Sequence, residues 1–109
     1  KQLRPQLLLD GKLPQQGPDV LLVEQIQQLE PFGAANPEPL FALPTPQEKF
    51  QLLKEHHVKW ILSRSTEVIG WNFAEQLQRV KPHQLAVTVG FNEFRGQRKI
   101  QMLLKEIQA

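Results

Sequence analysis

The sequence of 109 residues contains no cysteine. This absence excludes disulfide scaffolds, iron–sulfur centres, thiol nucleophiles and zinc sites built on cysteine. Long apolar runs are absent too, since no stretch approaches the roughly 20 apolar residues that a membrane span needs. Residues 1–5 lead into no apolar block of the signal-peptide type. We expect a soluble, cytoplasmic protein with no membrane partner, and Lys1 as first residue suggests a piece of something larger.

Catalytic signatures are missing as well. The chain has six glycines, and none forms a glycine-rich phosphate loop. Its serines and threonines lack the spacing of a histidine-activated nucleophile. The adjacent His56 and His57 would point to opposite faces of a strand, so they are not expected to share a metal ion. We therefore expect a binding module with no catalytic residue, cofactor or metal site of its own.

Charge is modest overall and uneven along the chain. The formal net charge is +2. Residues 1–46 carry 3 basic and 5 acidic side chains, a net charge of −2, whereas residues 47–109 carry 10 basic and 6 acidic side chains, a net charge of +4. The positive field therefore belongs to the C-terminal part, where a polyanion would be attracted.

The first part of the chain is rich in proline. Six of the nine prolines lie between residues 14 and 44, a density that excludes long helices and favours turns and extended segments. One short helix is expected after Asp19, a good N-cap, because apolar side chains recur at helical spacing up to Leu29. Pro31 would end it. Residues 6–9 form an apolar run that favours a short strand.

The second part alternates apolar and polar residues with period two, which is typical of half-buried strands. Val58, Trp60 and Leu62 alternate in this way and are expected in the core. Asn72 and Glu75 are spaced to form the capping box of a short helix. The pattern predicts three strands, that helix and two more strands, in order over residues 49–54, 57–63, 67–71, 73–80, 84–91 and 98–105.

Three strands, a helix and two strands are the order of a five-stranded Greek-key barrel, the OB-fold. We therefore expect a mainly β chain, with an N-terminal lead-in of strand, helix and proline-rich loop over residues 1–39 and the barrel over residues 40–109. A generic α+β sheet is the alternative, because strand order in space cannot be read from the sequence.

OB-folds bind oligonucleotides or oligosaccharides on the face of strands 2 and 3 and between the flanking loops. The sharpest local signal is the predicted hairpin loop over residues 92–97 and its border. Aromatic rings stack on bases and cations follow phosphates, so this composition suits a single strand. A solvated hairpin with its ring tucked against the barrel rim fits equally well. The hairpin places together Phe94, Arg95, Gly96, Arg98 and Lys99.

The middle strands offer fewer signals. His57 and Lys59 share the polar face of the second strand. Trp71 could lie in the core with Ile69 or, in the reverse register, stand outside as a stacking platform. Core or rim packing is the favoured position for a single strand tryptophan.

One pair of motifs resembles a known family. Residues 29–41 read LEPFGAANPEPLF, and residues 92–96 read NEFRG. Both resemble the C-terminal region of RecJ, the single-stranded-DNA-specific exonuclease family, where LEPFGxGNPEPxF leads into an OB-fold and an NE[YF]xG hairpin joins the last strands. Ala35 stands where the family usually has glycine, at a cost of about 1 kcal/mol if the backbone there is left-handed. The family's glycine-rich turn is also missing around residues 54–57.

The resemblance covers essentially the whole chain and implies a function. It implies the single-stranded-DNA-binding domain of a 5′–3′ exonuclease of DNA repair and recombination, working in a bacterial-type cytoplasm at the nucleoid. The catalytic core, an Asp-His-His phosphoesterase with divalent Mn or Mg, would lie outside this chain. The triplet at residues 55–57 is not that motif, because the other aspartates of a metal pair are missing.

The resemblance also implies site residues. Phe94, Arg95 and Gly96 take the family's hairpin positions, with Arg98 and Lys99 adjoining. By analogy between OB-folds alone, the basic track extends to Lys54, His57, Lys59 and Arg64. The proline-rich loop is expected to dock on the catalytic core, with an ordinary barrel plug as the alternative, through Phe32, Gly33, Asn36 and Pro37. The competing function is a docking platform for the core or another repair protein, without DNA contact.

Overall fold

A computed structural model describes residues 10–108. It is mainly β, with one seven-stranded sheet and two short helices. The strand order across the sheet is β1-β2-β6-β7-β5-β4-β3. The elements are β1 (Gly11–Lys12), α1 (Val20–Gln27), β2 (Phe41–Pro44), β3 (Gln51–Leu53), β4 (His57–Ser63), β5 (Thr66–Gly70), α2 (Ala74–Arg79), β6 (Gln84–Phe94) and β7 (Gln97–Gln108).

Helix α1 forms where the capping pattern predicts it. The Asp19 side chain accepts a hydrogen bond from the Leu22 N–H at 2.9 Å, which satisfies one of the free amides of the first turn. Val23 and Ile26 lie on the buried side of the helix. The strand expected over residues 6–9 lies outside the described residues.

The sheet has seven strands, compared with the five expected for the barrel. The additional strands are β1 and β2, which pair in parallel, and β2 also pairs antiparallel with β6. Sequence periodicity missed β2 because it is short and bounded by prolines. Pro44 fits as its last residue, since a strand end tolerates a missing N–H.

The last two strands are longer than predicted, and the loop between them is shorter. β6 and β7 pair out to Phe94↔Gln97, so the expected loop over residues 92–97 is wrong. Only Arg95 and Gly96 form the turn, with φ of 54° and 78°. Two left-handed residues in succession are typical of the type I′ hairpin, whose twist matches that of the strands.

Helix α2 forms without its predicted capping box. Asn72 has a φ of 65°, and Phe73 occupies the N-cap with no side-chain hydrogen bond. The Ala74 N–H instead donates to the backbone carbonyl of His56 at 3.0 Å. A backbone acceptor from the neighbouring turn therefore replaces the expected Asn72 side chain.

One hydrophobic core unites the described elements. Trp60 is 2% exposed and packs among the inward side chains of the sheet, as the alternation of β4 predicts. Val23 and Ile26 of α1 belong to the same cluster. The opposite side of β4 to β7 carries polar, aromatic and some aliphatic side chains, and it forms the candidate site.

Candidate nucleic-acid interface

The side chains of β4 to β7 that point away from the core form a continuous surface, here called the outer face. Strand alternation and the pairing register place them together. The surface combines aromatic, charged, amide and aliphatic groups. It includes His57, Lys59, Ile61, Glu67, Ile69, Asn92, Phe94, Gln97, Lys99, Gln101 and Leu103, and it is continued beyond β5 by Trp71.

The hairpin tip projects an aromatic ring from one end of this face. The Phe94 side chain is 66% exposed, so the ring does not tuck under the rim. The Arg95 guanidinium carbon lies 5.0 Å from the centroid of that ring, a cation–π arrangement. Ring and cation are therefore offered to solvent together, on a turn that Gly96 completes.

Arg98 and Lys99, adjacent in sequence, lie on opposite faces of the hairpin. The Arg98 guanidinium carbon lies 3.9 Å from the centroid of Phe91, and its Nη2 lies 3.5 Å from a carboxylate oxygen of Glu24 in α1. Lys99 lines a cleft of the outer face. The structure thus separates Arg98 from the other predicted contacts and engages it with the lead-in helix.

A polar network forms the floor of the outer face. The Glu67 side chain is 7% exposed, and its Oε1 lies 3.3 Å from the Lys59 Nζ. Its Oε2 accepts a hydrogen bond from the Gln101 Nε2 at 2.8 Å. Sequence analysis overlooked Glu67 and Gln101, although a glutamate at the start of an otherwise apolar predicted strand, residues 67–71, was the available signal. Lys59 is therefore a paired cation rather than a free one.

The opposite end of the outer face carries the second exposed ring. Trp71 is 54% exposed, so of the two favoured positions, core and rim, the structure excludes the core. Its ring centroid lies 5.0 Å from that of His57 in an edge-to-face arrangement, and the His57 Nδ1 accepts a hydrogen bond from the Asn72 N–H at 2.9 Å. In this register the inward position belongs to Gly70, beside Trp71 in the chain. A Cβ at Gly70 would lie only 2.9 Å from a side-chain carbon of Leu104.

Comparisons with known proteins show the family of the chain. The sequence model of the RecJ OB domain matches residues 9–106. The chain belongs to the RecJ OB-domain family. It is also similar to RecJ from Thermus thermophilus, solved in complex with Mn²⁺, with a TM-score of 0.63 and 26% identity over 84% of this chain. The match spans 15% of the Thermus chain. No curated protein matches.

The predicted resemblance to RecJ is thereby confirmed, and the remaining predicted residues can be located on this RecJ OB domain. Lys54 and Arg64 lie in the turns at opposite ends of β4, so the structure does not bring them together. Lys54 and Glu55 have φ of 52° and 68°. These left-handed residues occupy the turn in which the family often has glycine.

The proline-rich loop of the RecJ OB domain is organised by Asn36. Its Nδ2 donates to the carbonyl oxygens of Leu29 and Pro31 at 2.6 and 2.9 Å, and its backbone pairs with Gly33 in both directions. Phe32 is half-buried against the core of this chain, while Gly33, Asn36 and Pro37 are exposed.

Ala35 of the same loop replaces the family's glycine without backbone strain. The residues with positive φ between positions 10 and 108 do not include Ala35. The cost considered for a left-handed alanine therefore does not arise.

The described part of the RecJ OB domain offers no cluster of metal ligands. Among residues 10–108, no three His, Asp or Glu side chains are grouped so that they could hold a metal ion. The donor set here does not fit the divalent metal that the family implies. Neither described helix is long and apolar enough to cross a membrane.

Proposed function

We propose that this RecJ OB domain binds single-stranded DNA for a 5′–3′ exonuclease of DNA repair and recombination, in the cytoplasm. The supporting observation is the outer face, which carries exposed rings at both ends, Phe94 and Trp71, and cationic side chains between them. Base stacking on such rings contributes about 1–3 kcal/mol per base and tolerates any sequence.

The strand order supports an OB-type barrel beneath this face. β2 and β3 lie at or near opposite edges of the sheet order, yet only residues 45–50 separate them in the chain. We interpret them as two halves of one bent strand that closes the sheet. With β4, β5, β6 and β7, that strand makes five, the number and order of an OB-fold.

The distribution of charge limits the contacts to a few phosphates. Lys99 at the cleft and Arg95 at the tip are the cations best placed to meet a backbone, whereas Lys59 is paired with Glu67 and Arg98 with Glu24. Affinity of the isolated domain is therefore expected to be modest and to depend on the stacking rings.

The proposal gives the chain no catalytic role. Phosphodiester cleavage, with its Mn or Mg ions, belongs to a separate core, of which the domain would hold the substrate strand. The structural match covers 15% of Thermus RecJ, so most of that enzyme lies outside the matched region.

The test is fluorescence anisotropy of a labelled single strand of about 12 nucleotides, with the duplex as a control. We expect preference for the single strand and a slope of log affinity against log salt of about −0.7 per phosphate contacted. Arg95→Ala should weaken binding more than Arg79→Ala, which removes the same charge from α2. Absence of binding at low salt would overturn the proposal.

A second candidate function is docking. Among the described residues of the lead-in, Val20, Leu21 and Leu29 are exposed large apolar side chains, at 45%, 62% and 51%. Together with the loop that contains Phe32, they favour contact with the catalytic core or another repair protein. If the single strand is not bound, Leu21→Ser should disrupt association with the rest of the enzyme, and unchanged association would remove this candidate as well.

A further inference from the structure

A cleft at the hairpin end of the outer face has the composition of a base-recognition site. Its volume is about 310 Å³ and its wall includes the Phe94 ring. Glu67 forms the floor, since it lines the cleft while its side chain is only 7% exposed. The lining residues are Lys59, Glu67, Asn92, Phe94, Gln97 and Lys99.

A buried carboxylate is unexpected on a surface that binds phosphates. Glu67 reduces the positive electrostatic potential of the outer face. It also pairs with Lys59, a cation that would otherwise be available to the phosphates of a bound strand. Burial of such an ion pair gives little net stability, because an apolar pair of the same volume is often as stable or more so. Neither folding nor phosphate binding therefore accounts for Glu67.

We propose that Glu67 reads one nucleobase, and that the cleft selects bases with an exocyclic amino group. This inference rests on the proposed binding of single-stranded DNA. The base stacks on Phe94 and its amino group donates to the Glu67 carboxylate. Cytosine, adenine and guanine have such a donor, whereas thymine and uracil present a carbonyl oxygen that the carboxylate repels.

The hydrogen-bonding capacity of Glu67 permits this contact. A carboxylate accepts about four hydrogen bonds, two on each oxygen. Among the described residues, Lys59 uses one position on Oε1 and Gln101 uses one on Oε2. One acceptor position on each oxygen therefore remains for a ligand, and the two partners hold the carboxylate in place before a base arrives.

The direct test compares two oligonucleotides that differ only in the edge presented to Glu67. Oligo-deoxycytidine and oligo-deoxyuridine of equal length carry the same backbone, the same ring size and no C5 methyl group. We expect the 109-residue chain to bind the cytidine strand about tenfold more tightly at neutral pH, within the range for base discrimination by side chains.

Variants identify the residue responsible. Glu67→Gln should bring the ratio of the two affinities close to one, because an amide can donate to the uracil oxygen as well as accept. Glu93→Gln is the matched control, since it makes the same charge change on the other side of the hairpin. It should leave the ratio unchanged. Circular dichroism melting shows whether each variant is folded.

The possible outcomes distinguish failure of base selection by Glu67 from failure of the proposed single-stranded DNA binding. Equal affinity of the wild-type chain for both strands would overturn base selection and leave single-strand binding intact. Binding of neither strand would overturn the proposed function itself. The wild-type comparison decides the question even if Glu67→Gln does not fold.

Discussion

The two faces of the β6–β7 hairpin differ in whether their aromatic and basic side chains are exposed or already in contact with other side chains. On the outer face, Phe94 is 66% exposed and Lys99 lines an open cleft. On the other face, Phe91 is covered by the Arg98 guanidinium, which also reaches Glu24 of α1. The Phe94 ring and Lys99 are therefore available to a ligand, whereas the stacked Phe91 and Arg98 join the hairpin to the lead-in helix.

This difference shows how strand geometry divides a basic cluster. Arg98 and Lys99 are neighbours in the sequence, but successive side chains of a strand point to opposite faces. Consecutive basic residues on a strand are therefore divided between its two faces, and here only those on the outer face are available to bind phosphate. The outer side of the hairpin is therefore expected to bind the ligand, and the other side to hold the hairpin against α1. Substitutions on one side can be compared with substitutions on the other.

The largest expected effects come from exchanging the two phenylalanines for alanine. Phe91→Ala should destabilise the fold by about 2 kcal/mol, because a half-buried ring is removed from the core. Phe94→Ala should leave stability nearly unchanged and weaken single-strand binding about tenfold, through loss of one stacked base. Chemical denaturation and anisotropy measure the two effects. Equal loss of stability in both variants would contradict the division.

A smaller effect is expected when the neighbouring cations Arg98 and Lys99 are each replaced by alanine. Lys99→Ala should reduce the magnitude of the salt slope of DNA binding by about 0.7, the value for one phosphate contact. Arg98→Ala should keep the slope and cost up to about 1 kcal/mol of stability, through the lost ion pair and cation–π contact. Anisotropy titrations at several salt concentrations give the slope. A reduced slope in Arg98→Ala would place that cation on the DNA path.

The sequence predicted those parts of the fold that local rules control. Strict alternation located β4, and the Asp19 cap located α1. The sequence did not predict β2, because its main partner, β6, lies 40 to 46 residues away in the chain and the prolines around β2 weaken the strand signal. The orientation of Trp71 was undecidable because β5 is buried on both faces along its whole length, which removes the period-two signal.

In the candidate site, too, features set by neighbouring residues could be predicted from the sequence, whereas pairings between distant elements could not. The hairpin motif located Phe94 and Arg95, since a turn and its two neighbours form a local unit. The pairing of Lys59 with Glu67 and of Arg98 with Glu24 depends on the register of distant elements. Charge along the sequence cannot show that a cation is already neutralised by a partner from another strand or helix.

The tip that joins the two faces carries a cost in stability. Arg95 has a φ of 54°, and the first position of a type I′ turn favours asparagine or glycine. Arg95→Asn should therefore raise stability by about 0.5–1 kcal/mol, or about 2–6 °C in Tm, and weaken DNA binding. Glu55→Gly is the control, since it relieves a left-handed residue away from the hairpin. Binding retained in Arg95→Asn would exclude a role for this cation.

The smallest expected effect concerns the link between α1 and the hairpin. Glu24 and Arg98 are 47% and 41% exposed, so solvent screens their interaction and Glu24→Gln should cost less than about 1 kcal/mol. Glu75→Gln breaks a pair within α2, where both side chains are more exposed, at 77% and 73%, and should cost less still. Because Arg98 also stacks on Phe91, Glu24→Gln should leave the hairpin in place and DNA affinity unchanged. Denaturation and anisotropy of both variants test this, and a fall in affinity with Glu24→Gln alone would mean that α1 positions the outer face.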